Sequence, residues 1–306
     1  MPGAFAHITA VNVAAANTAL RQLDIPRHAK KVLSQHKKYL ELGCVSPDYP
    51  YLATLNGPQN QWADEMHYNH VGELIAVLVD EVKACDETEK DKAFAWLCGF
   101  VAHVAADITI HPVVELKVGP YADNQMAHRI CEMHQDAYIW VKHMQLGELG
   151  YADRVKANIG TCTDPDSDDK LDATLCRIWT SALSAVYRDT AQATPPDIHA
   201  WHNGFMTVVD LAEETDNLFA WARHVAASLG LTYPQSDEVD PTFIQHLDTP
   251  HGPQDYDAIF ERAIDTIHQQ WEIIAAAVYN DADLIGFKNW DLDTGLCEDG
   301  QLTAWS

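Results

Sequence analysis

Apolar residues recur along this chain at three- and four-residue spacing, the mark of helices with one buried face. Residues 8–23 are rich in Ala, Leu and Val and are followed by Pro26, and residues 30–42 read as a second helix stopped by Gly43. The stretch Ser46-Pro47-Asp48-Tyr49-Pro50-Tyr51 predicts a loop, because two prolines so close together do not sit inside a helix. Further helices are expected over residues 70–85, 91–110 (stopping near Pro112), 125–146, 171–190, 197–229 and 256–279. Strand-like alternation is scarce. The expected fold class is all-α, a multi-helix bundle packed around one core.

Three stretches interrupt the helical period: the acidic segment 164–169, the connection 236–254 and the tail after Trp290. The acidic segment reads as a solvated turn, with a calcium site on its oxygen spacing as the alternative. No internal repeat and no Gly/Ser linker divides the chain. Residues 1–306 are expected to form one domain, with the chemistry in 1–140 and the bundle completed by 150–306.

Composition agrees with a packed core: 306 residues, 47% of them hydrophobic. Charge narrows the partners. A net charge of −25 repels polyanions, so nucleic acid is not an expected ligand, and docking to anionic membranes through a polybasic patch is disfavoured. A zwitterionic substrate, or one with a cationic head group, suffers less. The seven cysteines, Cys44, Cys85, Cys98, Cys131, Cys162, Cys176 and Cys297, form no CxxC pair and suggest a reducing compartment rather than a disulfide framework. The first residues lack the basic start and apolar run of a signal peptide, so a cytoplasmic location is expected, with signal-less export left open. The longest apolar stretches are interrupted by His or Asp, and no transmembrane helix is expected.

The chemistry concentrates in His103-Val-Ala-Ala-Asp107-Ile-Thr-Ile-His111. Three metal-capable side chains at four-residue spacing share one helix face. Their neighbours Phe100, Val101, Val104 and Ile108 are apolar, and a polar stripe in such a helix is costly to bury unless something satisfies it. Imidazole and carboxylate are ligands that zinc accepts. His128 and Glu132 repeat the spacing, and Asp136 extends that face by a turn. Alone, a His–Glu pair of this kind is usually a surface interaction; beside the first stripe it suggests two helices facing each other across metal ions. His134, Asp136 and His143 are candidates for orienting the ligands, or ordinary helix polarity. Tyr49, Tyr51, Trp62 and Tyr68 would line a cleft or pack the core. With 16 histidines in the chain, the group Asp197, His199 and His202 reads as a chance cluster.

In order, the chain carries Phe5-Ala6-His7-Ile8, the Pro47-Asp48-Tyr49 segment, Trp62-Ala63-Asp64-Glu65-Met66-His67-Tyr68, the His103/Asp107/His111 helix and the His128/Glu132 helix. This succession, over about residues 1–140, resembles the zinc-dependent phospholipase C family, whose fold is shared with P1-type nucleases. The resemblance implies a helical hydrolase that cleaves the phosphodiester of phospholipids with metal-activated water, a cluster of zinc ions, and transient contact with a membrane surface. By position, Asp48, His67, His103 and Asp107 resemble the ligands of one zinc, and His111, His128 and Glu132 those of a second. His7, sharing Asp107, resembles part of a third site. Asp48 would also orient or deprotonate the attacking water. His67 is preferred to His70 because it precedes an aromatic residue. Secreted members begin at a tryptophan that binds the third zinc, and this chain has none near its start, so two or three ions are expected. The alternatives are a P1-type nuclease or other phosphodiesterase, and a non-catalytic helical metal-binding protein.

Overall fold

The computed structural model describes residues 3–53, 57–149, 157–216 and 233–306. In the first half, helices α1 (Ala4–Ala14), α2 (Asn17–Leu20), α3 (Arg27–Gln35), α4 (Lys37–Val45), α5 (Tyr49–Ala53), α6 (Gln61–Tyr68), α7 (Val71–Ala84), α8 (Glu87–Val118) and α9 (Tyr121–Met144) follow one another. A short antiparallel pair, β1 (Thr163–Asp164) and β2 (Ser167–Leu171), precedes α10 (Ala173–Val186), α11 (Arg188–Ala193), α12 (Ile198–Asp216) and α13 (Tyr256–Asn280). The fold is an all-α bundle, and one contiguous cluster of buried apolar side chains runs from Ala6 to Trp305.

The bundle is organised around α8. Asp86 caps its start by accepting from the backbone N–H groups of Thr88 and Glu89. Every residue from Ala93 to Val114 is buried, so the helix is apolar all round because its neighbours enclose it. It is the one described helix long and apolar enough to cross a membrane, yet its most apolar stretch lies wholly inside the protein and carries His103, Asp107 and His111.

Several boundaries differ from those the pattern predicts, each for a physical reason. Pro112 does not stop α8, which continues to Val118. Around the proline, the Trp305 indole N–H donates to the Thr109 carbonyl at 3.0 Å, and Gly295 packs against Ile108 and Pro112. Tertiary contacts thus support the helix where proline removes a hydrogen bond. The 46–51 segment is a 3₁₀ turn followed by α5; Pro47 and Pro50 occupy first-turn positions, whose N–H groups need no helical partner. The expected 30–42 helix breaks at His36 (φ −100°, ψ 38°) into α3 and α4. Gly43 is no stop. It lies within α4 against Gly99 of α8, where a Cβ would stand 2.0 Å from the Trp96 carbonyl oxygen. The two glycines allow the backbones of α4 and α8 to touch.

The acidic 164–169 segment forms the β1–β2 hairpin, in which Asp164 accepts from the Asp166 N–H. The expected 8–23 helix ends at Ala14, and α2 resumes from the extended Ala16. The expected 197–229 helix is seen as Ile198–Asp216; its remainder lies outside the described residues.

Candidate metal centre

Four elements bring the candidate side chains to one place. The stripe on α8 supplies His103, Asp107 and His111; α1 supplies His7; the turn before α5 supplies Asp48; α6 supplies His67. His7, His67, His103, Asp107 and His111 are at most 1% exposed. Asp107 is central: its carboxylate oxygens stand 3.0 Å from His103 Nε2, 3.3 Å from His7 Nε2, 3.9 Å from His67 Nε2 and 4.0 Å from His111 Nε2. His67 Nε2 also lies 3.3 Å from Asp48 Oδ1 and 3.3 Å from His103 Nε2. On α9, His128 Nδ1 stands 3.8 Å from Glu132 Oε1.

The far side of each ring decides what the near side offers. His103 Nδ1 donates to the Cys44 carbonyl at 2.9 Å, His67 Nδ1 to Ala63 at 2.7 Å, and His111 Nδ1 to Leu292. Carbonyl oxygens only accept, so each of these nitrogens carries the proton, and in the neutral ring Nε2 presents a lone pair inward. His128 is turned the other way. Its Nε2 donates to the Gly119 carbonyl at 2.6 Å, which leaves Nδ1 as the lone pair facing Glu132. Nitrogen lone pairs therefore face the Asp48 and Asp107 carboxylates. Among the described residues, Asp48 Oδ1, both Asp107 oxygens, both His7 nitrogens and His111 Nε2 are buried without a hydrogen bond.

Burying such groups unpaired is expensive, and a cation is what they have in common as a partner. The donor set, imidazole nitrogen and carboxylate oxygen, suits zinc. Two overlapping triads have ligand atoms close enough together to hold an ion, His7, His103 and Asp107, and Asp48, His67 and His103; they share His103, whose one inward lone pair serves a single ion.

Without a cation, a proton takes its place. Burial disfavours the His103 cation, but Asp107 and Asp48 overcome this and push its pKa up to about 9. Burial would raise Asp107, yet His103 and His111 hold it well below the usual carboxylate range. Burial lowers His111 to about 4 and, with His103 alongside, depresses His7 as well. The His7 ring lies flat against His103, with centroids 4.0 Å apart and planes at 14°.

His67, not His70, enters the cluster; His70 is exposed and pairs with Glu73. Asp136 is fully buried and accepts from the backbone N–H groups of Phe5 and Ala6, which fixes the start of α1 and so the position of His7. His134 instead accepts from the Asp240 N–H, and His143 packs on Phe260. Tyr49 and Trp62 are core residues, packed against Phe205 and Trp201 respectively. His199 accepts from the Leu171 N–H and the buried His202 approaches the Tyr49 hydroxyl, so neither joins the centre.

Tyr51 and Tyr68 flank the His67 ring, and Tyr121 meets His128 edge-on. The Tyr51 hydroxyl donates to Asp64 and the Tyr68 hydroxyl to Asp293. Tyr121, Leu292 and Asp293 are absent from the sequence-based expectations. A main-chain carbonyl carries no residue signature, and Asp293 lies 225 positions from its partner Tyr68.

Fold and site together define an all-helical protein with a buried histidine–carboxylate centre. The model of the family described as zinc dependent phospholipase C matches residues 6–189, and the chain belongs to that family. No curated protein and no solved structure matches it.

Proposed function

We propose that this protein is a zinc-dependent phospholipase C-like hydrolase that cleaves the phosphodiester of a phospholipid. The carrying observation is the buried convergence of Nε2 lone pairs from His67, His103 and His111 on the carboxylates of Asp48 and Asp107. Asp48, His67, His103 and Asp107 would hold one zinc, and His111, His128 and Glu132 a second. His7 would share Asp107 with a third. Zinc, when bound, supplies Lewis acidity to a phosphoryl oxygen and lowers the pKa of a coordinated water to about 7.

The remaining work belongs to the chain. The Cys44, Ala63, Gly119 and Leu292 carbonyls fix which ring nitrogen carries a proton and which stays free. Asp48 stands at the edge of the centre, with its side chain 14% exposed where the inner groups are closed off. Burial opposes its charge, but His103 and His67 keep it ionised. Its Oδ1 faces inward toward His67, and the partly exposed remainder of the carboxylate would accept a proton from an attacking water. The closed walls around His7, His103 and Asp107 keep bulk water from the ligands.

The side chains around His67 and His128 suit a head group of positive charge. Tyr51, Tyr68 and Tyr121 present aromatic rings, and Asp64 and Asp293 add carboxylates. The net charge of −25 weighs against a nucleic acid substrate. Exposed Leu116 and Met126, on the last turns of α8 and the first turns of α9, suit brief contact with a lipid surface.

Parallel assays on phosphatidylcholine vesicles and single-stranded DNA, each with zinc and with chelator, test the proposal. Zinc-dependent release of phosphocholine, abolished by His103→Ala and His128→Ala, is the expected result. Turnover of DNA alone would favour a P1-type nuclease, and zinc binding without turnover a non-catalytic metal protein. Phospholipid turnover that survives chelation and dialysis would refute the mechanism.

A further inference from the structure

We propose that residues 291–296, far outside the family-matched segment, are a positioning clasp that sets the His111 ring and ties it to His67. The inference rests on the zinc reading of the centre, but its geometry stands by itself. His67 takes its outer partner from its own helix, and His103 from the touching helix α4. His111 has no such neighbour. Its Nδ1 donates to the main-chain carbonyl of Leu292, 181 residues away. The N–H of the same Leu292 donates to the His67 carbonyl at 2.9 Å. One fully buried residue therefore grips the ring of one candidate ligand and the backbone of another.

The clasp is built to hold that shape. Asp291 Oδ1 accepts from the N–H groups of Asp293 and Thr294, both at 3.0 Å. The Asp291 N–H donates to Leu296 and its carbonyl accepts from Gly295. Gly295 has φ +70°, and a Cβ there would stand 2.6 Å from Pro112 Cγ and 2.8 Å from the Ile108 carbonyl oxygen. Only glycine allows this turn to sit against the proline step of α8, one residue beyond His111. On the other side, Asp293 accepts from the Tyr68 hydroxyl at 2.7 Å, next to His67. Loosening the turn frees the His111 ring to rotate, so the lone pair at Nε2 is no longer aimed inward.

The test uses the full chain and two readouts. Zinc affinity is measured by competition with a chromophoric chelator, and the His111 Nδ1–H is followed by its nitrogen–proton NMR signal and exchange rate. Asp291→Ala removes both side-chain acceptor bonds. It is expected to weaken one zinc by about 10–100-fold and to expose the His111 Nδ1–H to exchange. Asp291→Asn keeps the acceptor oxygen and is expected to restore both. Should Asp291→Ala fail to fold, Gly295→Ala displaces the same turn and is read by the same measurements. Wild-type zinc affinity with a protected His111 signal in the folded variants overturns the clasp. A wild-type chain that binds no zinc overturns the metal reading instead, and the exchange rate of His111 still decides the clasp.

Discussion

Replacing Gly43 with alanine puts a methyl carbon 2.0 Å from the Trp96 carbonyl oxygen and 2.9 Å from Gly99 Cα. Backbone cannot rotate away as a side chain can, so α4 must move off α8. Reaching an ordinary contact near 3.4 Å requires a shift of about 1.4 Å. The next residue along α4 is Cys44, whose carbonyl accepts from His103 Nδ1 at 2.9 Å, and the same displacement takes that bond beyond hydrogen-bonding range. Overpacking costs about 1–3 kcal/mol and the lost bond about 1 kcal/mol more, for roughly 2–4 kcal/mol in the metal-free protein. For a chain of 306 residues the expected fall in Tm is roughly 3–6 °C. Because the Cys44 carbonyl orients His103, zinc affinity should also fall by about 10–100-fold. Thermal unfolding in chelator reads the first effect, and competitive zinc titration the second. A Gly43→Ala protein with wild-type Tm and wild-type zinc affinity would refute the close approach of α4 and α8 and its link to the centre.

Removing one zinc from the wild-type protein is expected to lower Tm by roughly 6 °C, since a ligand at a thousand times its Kd contributes about 4 kcal/mol; calorimetry before and after chelation measures it. In the metal-free protein, the His103 pKa is raised to about 9, so its stabilisation is complete below the unfolded value near 6.5 and is lost as pH rises through 9. Tm in chelator should therefore decline between pH 7 and pH 10, a slope that saturating zinc removes. Asp107, held low, gives stability present above about pH 4 and lost on further acidification, which acid titration by circular dichroism would follow. Asp136→Ala is expected to loosen α1 by about 1 kcal/mol and to weaken the zinc that His7 shares, seen as a lower metal stoichiometry at limiting zinc.

Much of the centre was legible because helical spacing projects sequence onto a face. His103, Asp107 and His111 needed only the α-helical repeat to be placed together, and His128 with Glu132 likewise. Choosing His67 over His70 rested on the family pattern, and the structure buries the first and exposes the second. What local pattern could not reveal was tertiary support. Pro112 and Gly43 both look like helix stops, and both lie inside helices because distant residues, Trp305 and Gly295 in one case and Gly99 in the other, complete the packing. The same holds for Leu292 and Asp293. Their contribution is a main-chain carbonyl and a carboxylate brought in from the C-terminal tail, which shows no hydrophobic period of its own.

The most direct test is anomalous diffraction at the zinc edge from crystals of protein purified without chelator. Strong peaks are expected between Asp48, His67, His103 and Asp107, and between His111, His128 and Glu132, with a third beside His7 if Asp107 is shared. A folded protein with full phosphodiesterase activity and no peak at these side chains would contradict the account.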